Sequence, residues 1–279
     1  MVKMSSLNES VLLLVIKTAA VIFRFIPFLI AYRFARFLGH IGYYTMAKKR
    51  SVIYANLRTV YCSKTPCELK KITRHVFINF AQSVIELICL PKIQQKGIEN
   101  FVQCDGWDNV ENALKLGKGA IILAMHQGNW ELASVAASSQ GYPYSVVANE
   151  QSKMPRVDDL LNYYRSVSGA KIIAPGVATR EILRALKNNE IVTLVFDQGG
   201  SDGMPVPFLG KTASMSTGAI RLALKYGTPI CPVWMKRVGP IKHNLMFFPS
   251  PDLSSYENTE EDLAKAMRQI VSIFDERIS

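Results

Sequence analysis

Apolar residues fall into two regimes along the chain. Over residues 11–38 they run almost without a break, VLLLVIKTAAVIFRFIPFLIAYRFARFL, with Lys17, Arg24, Arg33 and Arg36 as the charged interruptions. Over residues 51–90 the three- and four-residue spacing in VIYANL and HVFINFAQSVIELICL predicts helix, and Pro91 is expected to close it. Beyond that, short apolar runs (AIILAM, YSVVAN, KIIA, IVTLVF, ICPVW) alternate with helical stretches at 157–167, 179–187 and 216–226. Such alternation predicts an α/β fold, with a mainly parallel central sheet flanked by helices and reactive groups beyond the carboxyl ends of the strands. HNLMFF reads as a further edge strand, and residues 260–277 as a closing amphipathic helix. With no linker and no internal repeat, the simplest division is an apolar helical segment, 1–50, and one catalytic α/β domain, 51–279.

The N-terminal run is long enough to span a bilayer in its 11–30 window. Its charges oppose that, each costing about 2.5–3.5 kcal/mol at a helix centre. A pair of helices lying in the membrane interface, broken at Pro27, fits better than a clean span. The competing reading is a buried helix of a soluble bundle. No small-residue cleavage site follows, which argues against a removed signal peptide. Lys48, Lys49 and Arg50 favour the cytoplasmic side for the chain that follows.

Charge narrows the partners. The 279 residues carry 33 basic and 22 acidic side chains, a net +11, which favours phospholipid headgroups, phosphorylated substrates, acidic carrier proteins or nucleic acid. Basic residues are scattered and no nucleic-acid reading motif accompanies them, so nucleic acid is the poorest of these. Cys62, Cys67, Cys89, Cys104 and Cys231 form no C-x-x-C pair and no zinc cluster. They read as reduced thiols of a cytosolic environment, mostly filling core space.

Chemistry enters at HQGNWE, where the strand-like AIILAM gives way to a helix from Trp130. Gly128 permits a tight turn, Asn129 is placed as a helix N-cap, and Glu131 falls in the first helical turn. On a continuous helix His126 and Glu131 would lie about 140° apart, but across a strand-turn-helix corner they can face one another. A carboxylate on one imidazole nitrogen leaves the other free to take a proton from a hydroxyl. A structural histidine at a strand end is the competing reading. His40, His75 and His243 have no carboxylate placed comparably, and each reads as a surface or satisfied core residue.

Two further stretches share the same rim. In IVTLVFDQGGSDGMPVPFLGKT the strand delivers Asp197 and Gln198, followed by a flexible loop with Gly199, Gly200 and Gly203. The GKT is not a phosphate-binding loop, because Pro205 stands where that motif needs glycine. Arg165, in NYYRSVSG, is placed on a helix between the rim strands, either meeting an anionic group with its guanidinium fork or simply solvated.

Taken together, HQGNWE, Arg165, VFDQ and VPFLGKTASMSTGAIRLALKYGTPICPVW resemble the spaced boxes of the bacterial lipid A late acyltransferases, within the lysophospholipid acyltransferase-like superfamily. Asn56-Leu57 and Glu86 match the helices that precede the family's catalytic box, whereas Gln127 replaces a usually apolar residue. The resemblance, which extends to relatives that acylate mannosylated phosphatidylinositol, implies transfer of a fatty acyl chain from an acyl carrier protein or coenzyme A thioester. The acceptor would be a hydroxyl of an anionic glycolipid or lysolipid, such as a lipid A precursor, at the cytoplasmic face of the inner membrane. It implies His126 as base with Glu131 as its partner, and Arg165, Asp197, Gln198 and Asn129 in substrate binding and positioning. No metal, cofactor or covalent enzyme intermediate is expected. Two rivals stand beside it: a thioesterase or lipase, weakened by the lack of a G-x-S-x-G elbow, and a non-catalytic protein binding anionic membranes.

Overall fold

The computed structural model describes residues 6–148, 154–174, 178–200 and 202–278. Five helices open the chain: α1 (Ser6–Phe25), α2 (Phe28–Thr45), α3 (Ala47–Val60), α4 (Pro66–Ile88) and α5 (Leu90–Gln95). Pro27 separates α1 from α2, as its lack of an N–H dictates. α4 ends at Ile88, just short of Pro91 as expected, and Pro91 itself stands in the first turn of α5, where a missing N–H costs nothing.

Spacing explains how α2 docks. Ala31, Ala35 and Gly39 recur every four residues, share one face and are buried. A Cβ on Gly39 would come within 2.5 Å of the Ile78 Cα of α4, so the two backbones touch where a larger side chain would hold them apart. Lys92 ties the joint down by donating to the Ile26 carbonyl (2.5 Å) near the end of α1, a favourable place for a cation. The outer faces stay apolar: Leu14, Phe25, Leu29, Phe34, Phe37 and Tyr44 are exposed. Among the described residues no helix is long and apolar enough to cross a membrane.

The α/β part follows as β1 (Val102–Asp105), α6 (Trp107–Leu114), β2 (Ala120–Ala124), α7 (Trp130–Ser138), β3 (Tyr144–Val147), α8 (Pro155–Val167), β4 (Ala170–Ile173), α9 (Ala178–Lys187) and β5 (Ile191–Val195). It ends with β6 (Met204–Phe208), β7 (Lys211–Met215), α10 (Gly218–Tyr226), β8 (Ile230–Gly239), β9 (Lys242–Phe247) and α11 (Glu260–Ile278). Seven strands form one sheet in the order β1-β9-β8-β2-β5-β3-β4. Pairing is parallel except between β8 and β9, so the expected mainly parallel α/β sheet is present. Asn149, the last residue of the YSVVAN run, lies outside the described residues.

Three features differ from the sequence expectation. The HNLMFF strand, β9, is not an edge: β1, too short to stand out in the pattern, pairs outside it. Residues of the glycine-rich stretch form a separate hairpin, β6–β7, whose turn residues Leu209 and Gly210 both have positive φ, 50° and 70°. GKT is therefore a hairpin turn running into β7. Gly199 and Gly200, expected in a flexible loop, are tied to β7: the Gly199 N–H donates to the Ser214 carbonyl and the Ser214 hydroxyl to the Gly200 carbonyl.

Period-two alternation divides the core. In β2, Ala120 and Ile122 pack with α6, α7 and the N-terminal helices, while Ile121 and Leu123 pack with α9, α10 and α11. All five cysteines are free, with Cys62 and Cys67 exposed. Burial pushes the Cys89 and Cys104 thiols up to about 11 and that of Cys231 to about 12. Because the thiolate is the reactive form, iodoacetamide at neutral pH is expected to alkylate Cys62 and Cys67 and spare Cys89 and Cys231. Peptide mass spectrometry reads this out, and rapid labelling of Cys231 without denaturant would contradict the packing of β8.

Candidate active site

Strand register builds the site. Ala124 at the end of β2 pairs with Val195 at the end of β5, and two residues further along each strand stand His126 and Asp197. The Phe196 N–H donates to the Ala124 carbonyl (3.2 Å), so the strands keep company up to the rim. Asp197 then takes hold of His126 twice. One oxygen accepts from the His126 backbone N–H (3.1 Å) and the other from the imidazole Nδ1 (2.9 Å). The bond to Nδ1 selects the tautomer with the proton on that nitrogen, which leaves Nε2 as the proton acceptor. Trp130 meets the ring edge-to-face at 5.3 Å. The His126 side chain is 34% exposed and that of Asp197 18%, so a reactant can reach the pair.

This corrects the expected partnership of His126 with Glu131. Glu131 lies in the first turn of α7, and both its oxygens are engaged by Arg165 on α8: Oε2 accepts from Nε at 2.7 Å and Oε1 from Nη2 at 2.5 Å. Each side chain of that pair is 16% exposed. Burial opposes the charge on Arg165, but the hydrogen bonds and charge of Glu131 prevail and raise its pKa. Arg165 also donates to Asn162 (2.8 Å), so its fork is filled by protein groups rather than held open for an anion. The reason is geometric. Parallel register puts Asp197 at the same height as His126, whereas the helix turn carries Glu131 toward α8.

The turn between them is over-determined. Gln127, which stands where an apolar residue was expected, accepts from the Met235 N–H (3.0 Å) through its side-chain oxygen and donates to the Met235 carbonyl through its amide. It thereby extends the junction of β2 with β8 past Leu123 and Pro232, the last paired residues. Gly128 has φ +64°, and a Cβ there would lie 2.7 Å from the Met235 carbonyl oxygen. Asn129 is the α7 N-cap as expected, its oxygen accepting from the Leu132 N–H (3.2 Å). It is nevertheless only 2% exposed, with its amide donated to Glu86, which argues against the substrate contact expected for it. Gln198 follows Asp197 on the rim and is exposed.

A second cluster lies behind the corner. Glu86 of α4 is 1% exposed and receives Arg237 of β8 through both terminal nitrogens, together with His243 Nε2 (3.2 Å) from β9. His243 is therefore a satisfied core histidine, one of the two expected outcomes for it, and the carboxylate that satisfies it comes from a distant helix. Its signal was present: His243, Leu245 and Phe247 alternate inward along β9, and Glu86 sits on the buried stripe of α4 with Phe77, Gln82 and Ile85. An acid on such a stripe requires a buried cation. His75 is exposed, its ring facing the Lys71 carbonyl.

A groove of about 700 Å³ lies at the opposite end of the sheet, lined by Lys118 and Thr228 just ahead of β2 and β8, and its lining includes no rim residue.

Fold and rim define an α/β protein with a histidine–aspartate pair, set at the carboxyl ends of two adjacent parallel strands and equipped for proton transfer. The chain belongs to the bacterial lipid A biosynthesis acyltransferase family, whose model matches residues 3–279. It is similar to the phosphatidylinositol mannoside acyltransferase of Mycolicibacterium smegmatis, 28% identical over 173 residues, covering 60% of this chain and 56% of the relative. The enzyme of the same name from Mycobacterium tuberculosis is 27% identical over 154 residues, 53% of this chain and 48% of the relative. The matched region spans about half the length of these relatives.

Proposed function

We propose that this protein is a membrane-associated O-acyltransferase. It moves a fatty acyl chain from a thioester of acyl carrier protein or coenzyme A to a hydroxyl of an anionic glycolipid, of the phosphatidylinositol mannoside or lipid A precursor type. The single observation that carries the reading is the His126–Asp197 pair on an accessible rim in a chain of this family. His126 Nε2 takes the proton of the acceptor hydroxyl as its oxygen attacks the thioester carbonyl, and Asp197 stabilises the imidazolium that forms. Collapse of the tetrahedral intermediate breaks the carbon–sulfur bond, and the imidazolium returns the proton to the leaving thiolate. No metal or cofactor is needed for these steps. Arg165 and Glu131 brace α8 against α7 and hold the corner in place.

Membrane association is supported by the outer faces of α1 and α2, where exposed Val11, Val15, Ile22, Phe25, Ile30 and Phe37 are interspersed with exposed Lys17, Arg24, Arg33 and Arg36. An apolar face of this kind, flanked by cations, suits the interface of an anionic bilayer. The cytoplasmic face of the inner membrane is the location this reading assigns.

Incubating the protein with acyl thioester and vesicles containing the anionic acceptor is expected to yield acylated lipid by mass spectrometry. His126→Ala should abolish turnover while vesicle co-sedimentation persists. Release of free fatty acid with no acylated lipid would mean a thioesterase, and vesicle binding with neither product, the same in the variant as in the unaltered protein, would leave only a membrane-binding protein.

A further inference from the structure

We infer that Glu86 is a positioning residue for the catalytic corner, acting through Asn129, an inference that rests on the acyltransferase reading above. One carboxylate oxygen of Glu86 accepts from the Asn129 amide (2.7 Å), from Arg237 Nη2 (2.9 Å) and from His243 Nε2 (3.2 Å), and the other accepts from Arg237 Nη1. Asn129, Arg237 of β8 and His243 of β9 thus converge on one acid of α4, and of these only Asn129 belongs to the corner. Both ends of that side chain are spoken for: its oxygen caps α7 and its nitrogen is fixed by Glu86. The orientation of the amide, and with it the start of α7, is set from behind. His126 stands three residues before Asn129 and Glu131 two after it, so any rotation of this turn moves both.

Packing alone does not call for the cluster. A buried ion pair is often no more stabilising than apolar residues of the same volume. Burial raises the pKa of Glu86, but hydrogen bonds from His243 and Arg237, with their charges, outweigh it and hold the carboxyl below the usual range. The acid is therefore ionised at neutral pH and gives Asn129 a charge-assisted acceptor, stronger and more directional than a neutral one. Supporting bonds of this kind keep reactive groups within about 0.5 Å of productive geometry.

Two variants of the full chain test the role. Asn129→Ser retains an N-cap acceptor but loses the amide that reaches Glu86. Glu86→Gln keeps the shape and removes the charge. Acyl transfer to anionic-lipid vesicles is measured for each variant and for the double variant, with Tm and the ¹⁵N-resolved imidazole spectrum of His126. Each single change is expected to lower kcat by about 10²-fold with KM unchanged, the scale of a 1 Å misplacement. The double variant should be no worse than either single one, because both break one link. The His126 Nδ1–H resonance should shift or broaden in both.

Wild-type kcat and an unmoved resonance in Asn129→Ser would overturn the inference, as would fully additive losses that follow Tm. If Glu86→Gln does not fold, Asn129→Ser decides alone. Absence of transfer by the unaltered protein would instead sink the acyltransferase reading, and the resonance would still decide whether Glu86 positions His126.

Discussion

Asp197→Asn is expected to lower kcat for acyl transfer by about 10⁴-fold, with the fold and Tm little changed. Asp197 accepts from both Nδ1 and the backbone N–H of His126, so it sets the tautomer as well as the ring's direction. An asparagine preserves the shape, but it offers the ring one oxygen and one N–H donor. In the flipped arrangement the proton moves to Nε2, which then cannot accept from a hydroxyl. Stabilisation of the imidazolium is lost as well, a contribution that general-base catalysis needs at its transition state. Steady-state kinetics and the His126 imidazole spectrum check this together. Full activity in Asp197→Asn would show that another group orients His126, with Glu131 the first to re-examine.

The second large effect concerns stability. Arg165→Met removes the cation from Glu131 and leaves an acid that is mostly buried between α7 and α8. Removing one partner of a buried pair costs about 3–5 kcal/mol, and for a pair with residual exposure the lower figure applies. In a chain of this size that corresponds to a fall in Tm of about 6–12 °C. Adding Glu131→Leu should recover much of the loss, since the stranded charge goes with it. Differential scanning calorimetry of the three variants reads the pattern. If Arg165→Met instead keeps its Tm and raises only KM for the lipid, Arg165 is a lipid ligand and its pairing with Glu131 is incidental.

Much of the architecture was legible because burial imposes a period. Apolar runs bounded by turn residues located β2, β3, β4, β5 and the first half of β8, and the three- and four-residue spacing located α8, α9, α10 and α11 within about two residues. What escaped was short or two-sided. β1 has four residues and no apolar run, and the β6–β7 hairpin, with Pro205 and Pro207, resembles a loop until its turn geometry is seen. His126, Asn129 and Gly128 were recognisable from local grammar alone: a strand end, a cap and a tight turn within six letters.

The chain's own order of residues determined most of the elements and that a histidine would stand on the sheet's rim, because strand and helix periodicities and capping are local consequences of side-chain type. Which carboxylate meets that histidine was decided only in three dimensions. Glu131 is five residues away and faces Arg165, while Asp197 is 71 residues away and faces His126. Proximity in the chain is set by covalent bonds, but proximity at a sheet's rim is set by which strands lie side by side and in what register. Here β5 adds next to β2, at a height that brings two residues from distant segments into one hydrogen bond.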